Sequence, residues 1–298
     1  MRRVTACCCA LALAVPGALM GATAVAADPS AGAQSSGVER RVRYAFTVQN
    51  ETGRVLEGAT FTAYAPVTQT GTQTLLGVSS ATPATAEVDA LGNRVLRFTL
   101  DALPPFSARV LSLEARLAIA GAPRSQELSG WLHDTYTRPE RYVESADPRI
   151  VSLARSLKTA GARDTARNLY QWVRQNLRRL QYTPEDLGAL RALELRAGDC
   201  TEHAYLFVAL ARAAGIPARA LGGFVMPESG VLDPRDYHNW AEFYAEGAWH
   251  VADAHRGVFD AHASDYVAMR LISSSVPSPL GSSHRYASGS EGLKVKMN

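Results

Sequence analysis

Cysteine is scarce in this 298-residue chain. Three of its four cysteines, Cys7, Cys8 and Cys9, lie close to the N-terminus, and Cys200 stands alone far beyond them. If the N-terminal segment is removed, Cys200 has no intramolecular disulfide partner, which excludes a disulfide framework. A lone cysteine outside the cytoplasm is prone to oxidation. It is therefore either a small buried apolar residue or a functional thiol, and its sequence context favours the second interpretation.

A long apolar run is also missing. The N-terminal run Val4–Val15 is too short to span a membrane. It follows a basic start and precedes Val25-Ala26-Ala27, an arrangement typical of a secretory signal peptide. We therefore expect residues 1–27 to be a signal peptide, cleaved after Ala26 or Ala27. The mature protein is expected to be periplasmic or secreted, without a membrane span.

Neither sign of charge is in excess. The chain has 31 lysines and arginines against 28 acidic residues, and removing Arg2 and Arg3 with the signal peptide leaves 29 against 28. A nearly neutral chain lacks the basic composition that accompanies nucleic-acid binding. Nucleic acid is therefore not an expected partner. The length allows about two domains.

The first predicted domain, residues 38–120, is a β-sandwich that follows an Ala/Ser/Gly-rich flexible leader at residues 28–37. Val42, Tyr44, Phe46 and Val48 alternate with polar residues, as in a half-buried strand. Further strands are predicted at 55–64, 72–78, 95–100 and 109–119. Short strands at this spacing indicate an antiparallel sandwich, which we interpret as an accessory domain. Residues 121–146 are predicted to connect it to a second domain.

The second predicted domain, residues 147–272, mixes helices with strands, so the expected fold class is α+β. Asp147 is the predicted cap of a helix from Pro148 to about residue 158, and Asp164 the predicted cap of a second helix. After a third helix or loop from Thr183 and the Cys200 helix, strands are expected at 218–225, 238–244 and 249–255. Residues 273–298 are rich in Ser, Pro and Gly and are predicted to form a loosely ordered tail.

The stretch Gly198-Asp199-Cys200 reads as a turn followed by a helix that opens on the cysteine. Asp199 can cap this helix, and Glu202 stands three residues later, the spacing of a capping box. Gly215 and Pro217 end the helix. Cys200 then lies in the first turn, where the helix dipole and free N–H groups favour a thiolate.

A cysteine nucleophile needs a base, and the base needs a partner that orients its ring. The candidates are His238 and Asp253, on two strands joined near Glu246-Gly247. A two-residue turn there would place His238 and Asp253 one diagonal step apart on the same face of the hairpin. A loop of odd length would turn one of them away.

Three ordered blocks of the chain resemble the transglutaminase-like superfamily, a branch of the papain-like cysteine enzymes. The blocks are Gly198–Arg219, with Gly-Asp-Cys-Thr-Glu-His-Ala at its start; His238-Asn239-Trp240-Ala241-Glu242-Phe243-Tyr244; and Trp249-His250-Val251-Ala252-Asp253. The resemblance covers roughly residues 148–259, and three blocks in order are far more specific than any one of them. The N-terminal sandwich weakly resembles the β-domain that often precedes this domain in exported bacterial members.

The resemblance implies a Cys-His-Asp triad at Cys200, His238 and Asp253. It also implies a fold in which the cysteine helix packs on an antiparallel sheet that carries the other two residues. Two departures stand out: Ala254-His255 follows the aspartate where members commonly have proline, and Glu194 replaces a papain-type glutamine.

The oxyanion donors are therefore not identified by sequence. The backbone N–H of Cys200 is one candidate. Tyr182 and Trp240 are candidates for oxyanion or substrate contacts, with core packing as the other interpretation of Trp240.

The implied chemistry is acyl transfer through a cysteine thioester, with no cofactor. Hydrolysis of a peptide-like amide is favoured, because water is always present and no acceptor site is recognisable. The expected partner is a peptide or protein substrate, with cell-wall peptide as one candidate. The alternatives are transamidation of protein glutamine and a non-catalytic binding or scaffold protein that retains the fold.

A zinc site is the rival interpretation of the same residues. Cys200 and His203 form Cys-x-x-His, and residues three apart on a helix can share a metal. No second paired motif accompanies them, and His203 is explained as a helix residue close to the site. His250 points away from Trp249 in the strand alternation and is expected to be exposed to solvent. We therefore expect no metal.

Overall fold

The computed structural model describes residues 24–25, 37–182, 185–280 and 285–298. The predicted signal peptide and leader lie outside the described residues, apart from 24–25 and Gly37. The described chain has antiparallel sheets in its N-terminal part, followed by helices and a further antiparallel sheet. The α+β prediction is confirmed.

The N-terminal part, as far as the structure describes it, contains the strands β1 (Ala24–Val25), β2 (Val38–Asn50), β3 (Thr60–Ala65), β4 (Gln73–Ser80), β5 (Ala84–Val88), β6 (Arg94–Thr99) and β7 (Ala108–Ile119). Five of them overlap the predicted strands, and β2 buries every second side chain as its alternation predicts. The strand β5 was not predicted. Its Ala84–Val88 sequence is short and mostly exposed, so it carries no clear hydrophobic alternation.

Two sheets share one apolar core in this region. In the first, β2 pairs antiparallel with β7 from Val38 to Gln49, and β4 lies on the other side of β7. In the second, β6 lies between β3 and β5. Phe61 and Phe98 stack with their ring centroids 4.6 Å apart and face Phe46 of β2. The predicted sandwich is thus present as two sheets packed face to face.

The α-helices of the described residues follow: α1 (Gly130–Thr137), α2 (Pro148–Leu157), α3 (Ala162–Asn176), α4 (Ala189–Leu195) and α5 (Cys200–Ala213). Asp147 caps α2 by accepting a hydrogen bond from the Arg149 N–H, as predicted. The prediction that Asp164 caps α3 is wrong. Gly161 is the N-cap, and Asp164 lies inside the first turn, where its charge complements the helix dipole instead.

The strands of the second half are β8 (Arg178–Arg179), β9 (Ala197–Gly198), β10 (Ala218–Val225), β11 (Gly230–Val231), β12 (Tyr237–Ala245), β13 (Ala248–Asp253), β14 (Val258–Phe259) and β15 (Tyr266–Ile272). Five of them form an antiparallel sheet in the order β14-β13-β12-β10-β15. The register between β10 and β15 shifts between Gly222 and Gly223, where the strand forms a bulge. A side chain at Gly223 would clash with the Val267 carbonyl oxygen, so the close strand approach requires glycine there.

The helix α5 is the centre of the second half. Leu206, Phe207, Val208 and Leu210 are all fully buried, so the helix is covered on every side rather than on one stripe. Its neighbours are α2, α3 and α4 on one side and the face of β12 that carries Phe243 on the other. A helix held in this way gives its first residue a fixed position.

The opposite face of the five-stranded sheet closes onto the N-terminal part. Phe224, Val267 and Met269 belong to the same apolar core as the two N-terminal sheets. Polar contacts reinforce this boundary: Arg40 donates to the carbonyl oxygens of Met226 and Ser264. The sheet therefore lies between the helices and the N-terminal sandwich.

The C-terminal residues also join the N-terminal sheets. Strand β16 (Tyr286–Ser288) pairs with β3, and β17 (Leu293–Met297) pairs with β2. Leu293 and Met297 are buried in the sandwich core. The tail composition did not predict these strands, because their apolar residues are few and become informative only once a partner strand is present.

No described helix has both the length and the apolar character needed to cross a membrane.

Replacing Leu206 by alanine should lower the free energy of unfolding by about 2–5 kcal/mol, because the lost side chain leaves a cavity in a fully buried helix. The matched control is Leu195→Ala in α4, where 44% of the leucine is exposed and the cost should stay below about 1 kcal/mol. Urea unfolding of the three proteins measures both values. Equal costs for the two variants would contradict the central position of α5.

Candidate active site

The start of α5 is held by a capping box. The Asp199 carboxylate accepts a hydrogen bond from the Thr201 N–H, and Glu202 accepts one from the Asp199 N–H. This confirms the predicted motif. Gly198 is required beside it, because a side chain there would clash with the Glu202 Cβ.

Glu202 is buried, and its second oxygen accepts the N–H of Leu187. Burial raises the pKa of Glu202 to about 7, and the nearby Asp199 charge acts in the same direction, against the hydrogen bond from Leu187. The box thus ties the cysteine turn to the segment that precedes α4.

Cys200 is the first residue of α5 and is half-buried. It lines a cavity of about 760 Å³. His238, His255 and Tyr182 lie on the same walls, together with Arg285 from the C-terminal segment. The cavity is therefore bordered by several separate parts of the chain.

The hairpin of β12 and β13 positions the histidine and the aspartate. Ala245 pairs with Ala248 and Ala241 with Ala252, the register expected for a two-residue turn. The His238 Nε2 and Asp253 Oδ2 atoms are 2.7 Å apart. The predicted juxtaposition of His238 and Asp253 is confirmed.

Asp253 has two further partners that hold its carboxylate. The Tyr266 hydroxyl donates to Oδ2 at 2.8 Å, and the Arg256 N–H donates to Oδ1 at 2.9 Å. The sequence did not single out Tyr266, because it comes from β15 and no local pattern links it to the hairpin. Three hydrogen bonds, shared between both oxygens, leave the Asp253 carboxylate little freedom to rotate.

The charges of this group favour an ion pair. Burial acts to lower the pKa of His238, but the Asp253 hydrogen bond and charge and a hydrogen bond with the Cys200 side chain raise it to about 9. Burial conversely acts to raise the pKa of Asp253, and the His238 contacts hold it below its usual value. Since Asp253 occupies Nε2, Nδ1 is the ring nitrogen left for the Cys200 thiol.

Two more histidines lie close to this pair. The His255 ring centroid is 5.6 Å from that of His238 and 5.1 Å from that of His203. Burial and the charges of His203 and His238 lower the pKa of His255 to about 4. His203 is buried, its Nδ1 lies 2.7 Å from the Asp199 carbonyl oxygen, and burial lowers its pKa. Both rings are therefore neutral at neutral pH.

The zinc interpretation finds no support in the geometry. Within the described ranges, no group of three or more His, Cys, Asp or Glu side chains is arranged to hold a metal ion. The His203 ring, which the Cys-x-x-His spacing suggested as a ligand, is bonded to the backbone of its own helix turn.

The remaining candidates lie in different surroundings. Tyr182 is 78% exposed on the cavity wall. Trp240 is buried behind His238, its ring 6.5 Å from the imidazole and 4.9 Å from Tyr266, and it does not line the cavity. Glu194 is bonded to Arg149 at the surface, away from the cavity wall.

His250 was expected at a solvent-exposed position, and this is wrong. Its side chain is buried, with Nδ1 at 2.6 Å from the Asp260 carboxylate and Nε2 at 3.1 Å from the Ala245 carbonyl oxygen. The side chain does point away from Trp249, but the loop after β13 returns to cover this face.

Asn239 is a second residue that the sequence did not single out. It lines the cavity, and its Nδ2 donates to the Thr201 Oγ1 at 2.9 Å. Asn239 follows His238 and Thr201 follows Cys200 in the sequence. This buried hydrogen bond therefore links the strand that carries His238 to the helix turn that carries Cys200.

Residues 151–254 match the family model of the transglutaminase-like superfamily. The chain contains a transglutaminase-like domain. Cys200, His238 and Asp253 all lie within the matched residues. No curated protein matches the sequence.

Solved structures resemble this chain to different degrees. The crystal structure of "a Putative Cysteine Protease from Cytophaga hutchinsonii" superposes with a TM-score of 0.61 at 20% identity, covering 89% of this chain and 91% of that one. The periplasmic domain of TgpA from Pseudomonas aeruginosa matches at 18% identity with a TM-score of 0.40, covering 71% and 87%. The similarity to the Cytophaga hutchinsonii structure covers 89% of this chain, so the shared fold includes the N-terminal sheets as well as the transglutaminase-like domain.

Replacing Asp253 by asparagine should move the titration of the His238 ring well below pH 9, because only the contacts with Cys200 then oppose the effect of burial. An NMR titration of the histidine ring signals measures the His238 pKa in the wild-type protein and in the variant. Asp260→Asn, which removes the carboxylate beside His250 instead, is the matched control and should leave the His238 titration unchanged.

The same pKa shift makes stability depend on pH. The His238 pKa in the folded protein, about 9, lies above its ordinary value of 6.5. The stabilisation of the folded state by protonated His238 is therefore fully present below pH 6.5 and is lost as the pH rises through 9. The free energy of unfolding lost in Asp253→Asn should therefore be larger at about pH 6 than at about pH 10, by about 1.4 kcal/mol for each unit by which the variant lowers the His238 pKa. Urea unfolding at both pH values measures this difference, and a constant loss would contradict the ion pair.

Proposed function

We propose that the protein is an exported cysteine enzyme that hydrolyses peptide-like amide bonds through a thioester on Cys200. The observation that supports this best is that Cys200 and His238 line the same cavity, with His238 hydrogen-bonded to Asp253 behind it. A thiol, a base and an orienting carboxylate in this order are what nucleophilic catalysis by cysteine requires.

In the first step, the Cys200 thiolate attacks the amide carbonyl carbon and forms a C–S bond. The His238 imidazolium is the proton source for the leaving amine, so the C–N bond breaks without releasing an amide anion. Asp253 holds the ring so that Nδ1 faces the thiol and supports its positive charge. A base whose pKa lies above neutrality favours the thiolate–imidazolium pair before substrate arrives.

Negative charge develops on the carbonyl oxygen in this step. The N–H of Cys200 points out of the first turn of α5, where the helix dipole is positive. We assign it as one oxyanion donor. Tyr182, on the same wall, is the candidate for the second.

In the second step, water attacks the thioester carbon. His238, now neutral, accepts the proton of the water, and the C–S bond breaks to release the acid and the thiolate. The cavity of about 760 Å³ accommodates several residues of an extended chain. A peptide or protein outside the cytoplasm is therefore the proposed substrate, in keeping with the secretory pattern of residues 1–27.

Cys200→Ala and His238→Ala should each lower kcat/KM on a cleaved peptide by about a thousandfold or more, because each removes a bond-making or proton-transferring group. The assay follows a pool of peptides and cell-wall fragments by mass spectrometry. His133→Ala, which changes an exposed histidine on α1, is the control and should retain full activity. Full activity of the Cys200→Ala variant would contradict the covalent mechanism.

Adding a primary amine to the same assay separates hydrolysis from transamidation. Hydrolysis predicts free acids as products even at high amine concentration, because no amine site competes with water. Products that carry the amine in place of the acid would assign the reaction to transamidation instead.

A further inference from the structure

We infer that Arg285 binds a carboxylate of the substrate in the cavity that contains Cys200. Both residues line that cavity, although they are far apart in the sequence. The inference rests on the proposed function and adds to it the chemical class of the substrate: a peptide with a negative charge near the bond that is cleaved.

The other charged groups on the cavity wall already have partners. Asp199 is engaged in the capping box, Asp186 accepts a hydrogen bond from the Tyr205 hydroxyl, and Arg235 is paired with Asp233. His238 is paired with Asp253. None of these groups is left to attract a ligand of opposite charge.

Arg285 differs from them. In the part of the chain that the structure describes, its guanidinium contacts no carboxylate. Nη1 donates to the Pro234 carbonyl oxygen at 2.9 Å, and Cζ lies 5.4 Å from the centroid of the Tyr237 ring. These contacts fix the position of the side chain and leave its charge uncompensated.

The geometry suits recognition of a carboxylate. A guanidinium has five N–H donors in a planar fork and binds carboxylates through two parallel hydrogen bonds. One donor of Arg285 is used by Pro234, so the remaining edge can face the cavity. The ring of Tyr237 shields one face of the guanidinium, which makes a charged hydrogen bond there stronger than in bulk water.

Peptides offer two sources of this carboxylate, the C-terminus and an acidic side chain. Four thiol reagents distinguish them without requiring turnover. Iodoacetyl-glycine and iodoacetyl-glycinamide differ only in a terminal carboxylate. The amides of iodoacetyl-aspartate and iodoacetyl-asparagine differ only in a side-chain carboxylate. In each case the thiolate forms a C–S bond and iodide leaves.

The expected result is that Cys200 of the wild-type protein reacts about tenfold faster with the acid than with its amide in at least one pair, since a charge-assisted hydrogen bond has this effect. The pair that shows the preference identifies the source. Arg285→Gln should abolish the preference while leaving the rate with neutral iodoacetamide within about twofold. Arg285→Lys should retain part of it, because a point charge lacks the fork.

Arg167→Gln is the matched control. Arg167 also lies over an aromatic ring, 4.8 Å from the centroid of Phe259, but on α3 and outside the cavity wall. Its variant should keep the wild-type preference.

The outcomes separate this inference from the proposed function. If Cys200 reacts with every reagent no faster than free cysteine does, Cys200 is not activated, and the proposed function is contradicted. If Cys200 is activated but shows no preference in either pair, or if Arg285→Gln retains the preference, the assignment of Arg285 is overturned. Cleavage by the wild-type protein of acidic peptides and their amidated forms at equal rates would likewise overturn it.

Discussion

The connection between β12 and β13 has only two residues, Glu246 and Gly247. Both have positive φ, 53° and 79°, as in the type I′ turns whose twist matches that of the strands they join. The turn sets the register of the hairpin, and side chains alternate between faces with a period of two. One more residue here would place His238 and Asp253 on opposite faces. The ion pair in the cavity thus depends on a turn located at the far end of the same strands.

Several contacts stabilise that far end. His250 of β13 is bonded to the Ala245 carbonyl oxygen and to Asp260, and Asp260 is also bonded to Arg163 of α3. A second buried ion pair, Arg219 with Glu242, links β10 to β12 at 2.6 Å. Removing one partner of such a pair leaves a buried charge, so these contacts oppose any slip of the strands.

The sequence was informative where a feature is local. The capping box at Asp199 and the register of the hairpin depend on neighbouring residues, and both are present in the structure. Where tertiary contacts decide, the sequence was silent or misleading. Tyr266 reaches Asp253 from another strand, and His250 is buried by a loop that alternation cannot describe.

His255 shows how a departure from the family pattern fits this arrangement. It stands two residues after Asp253, and its ring contacts both His238 and His203. Three imidazolium ions at this separation would repel one another, so the buried cluster can hold charge on one ring only. Asp253 decides which ring that is, because its carboxylate is bonded to His238 and the pKa of that ring is raised, whereas the pKa values of His203 and His255 are lowered. The neutral His255 then forms a polar wall beside the thiol without competing for the proton. The aspartate therefore orients the proposed base and also assigns the single positive charge of the cluster to the ring that contacts Cys200.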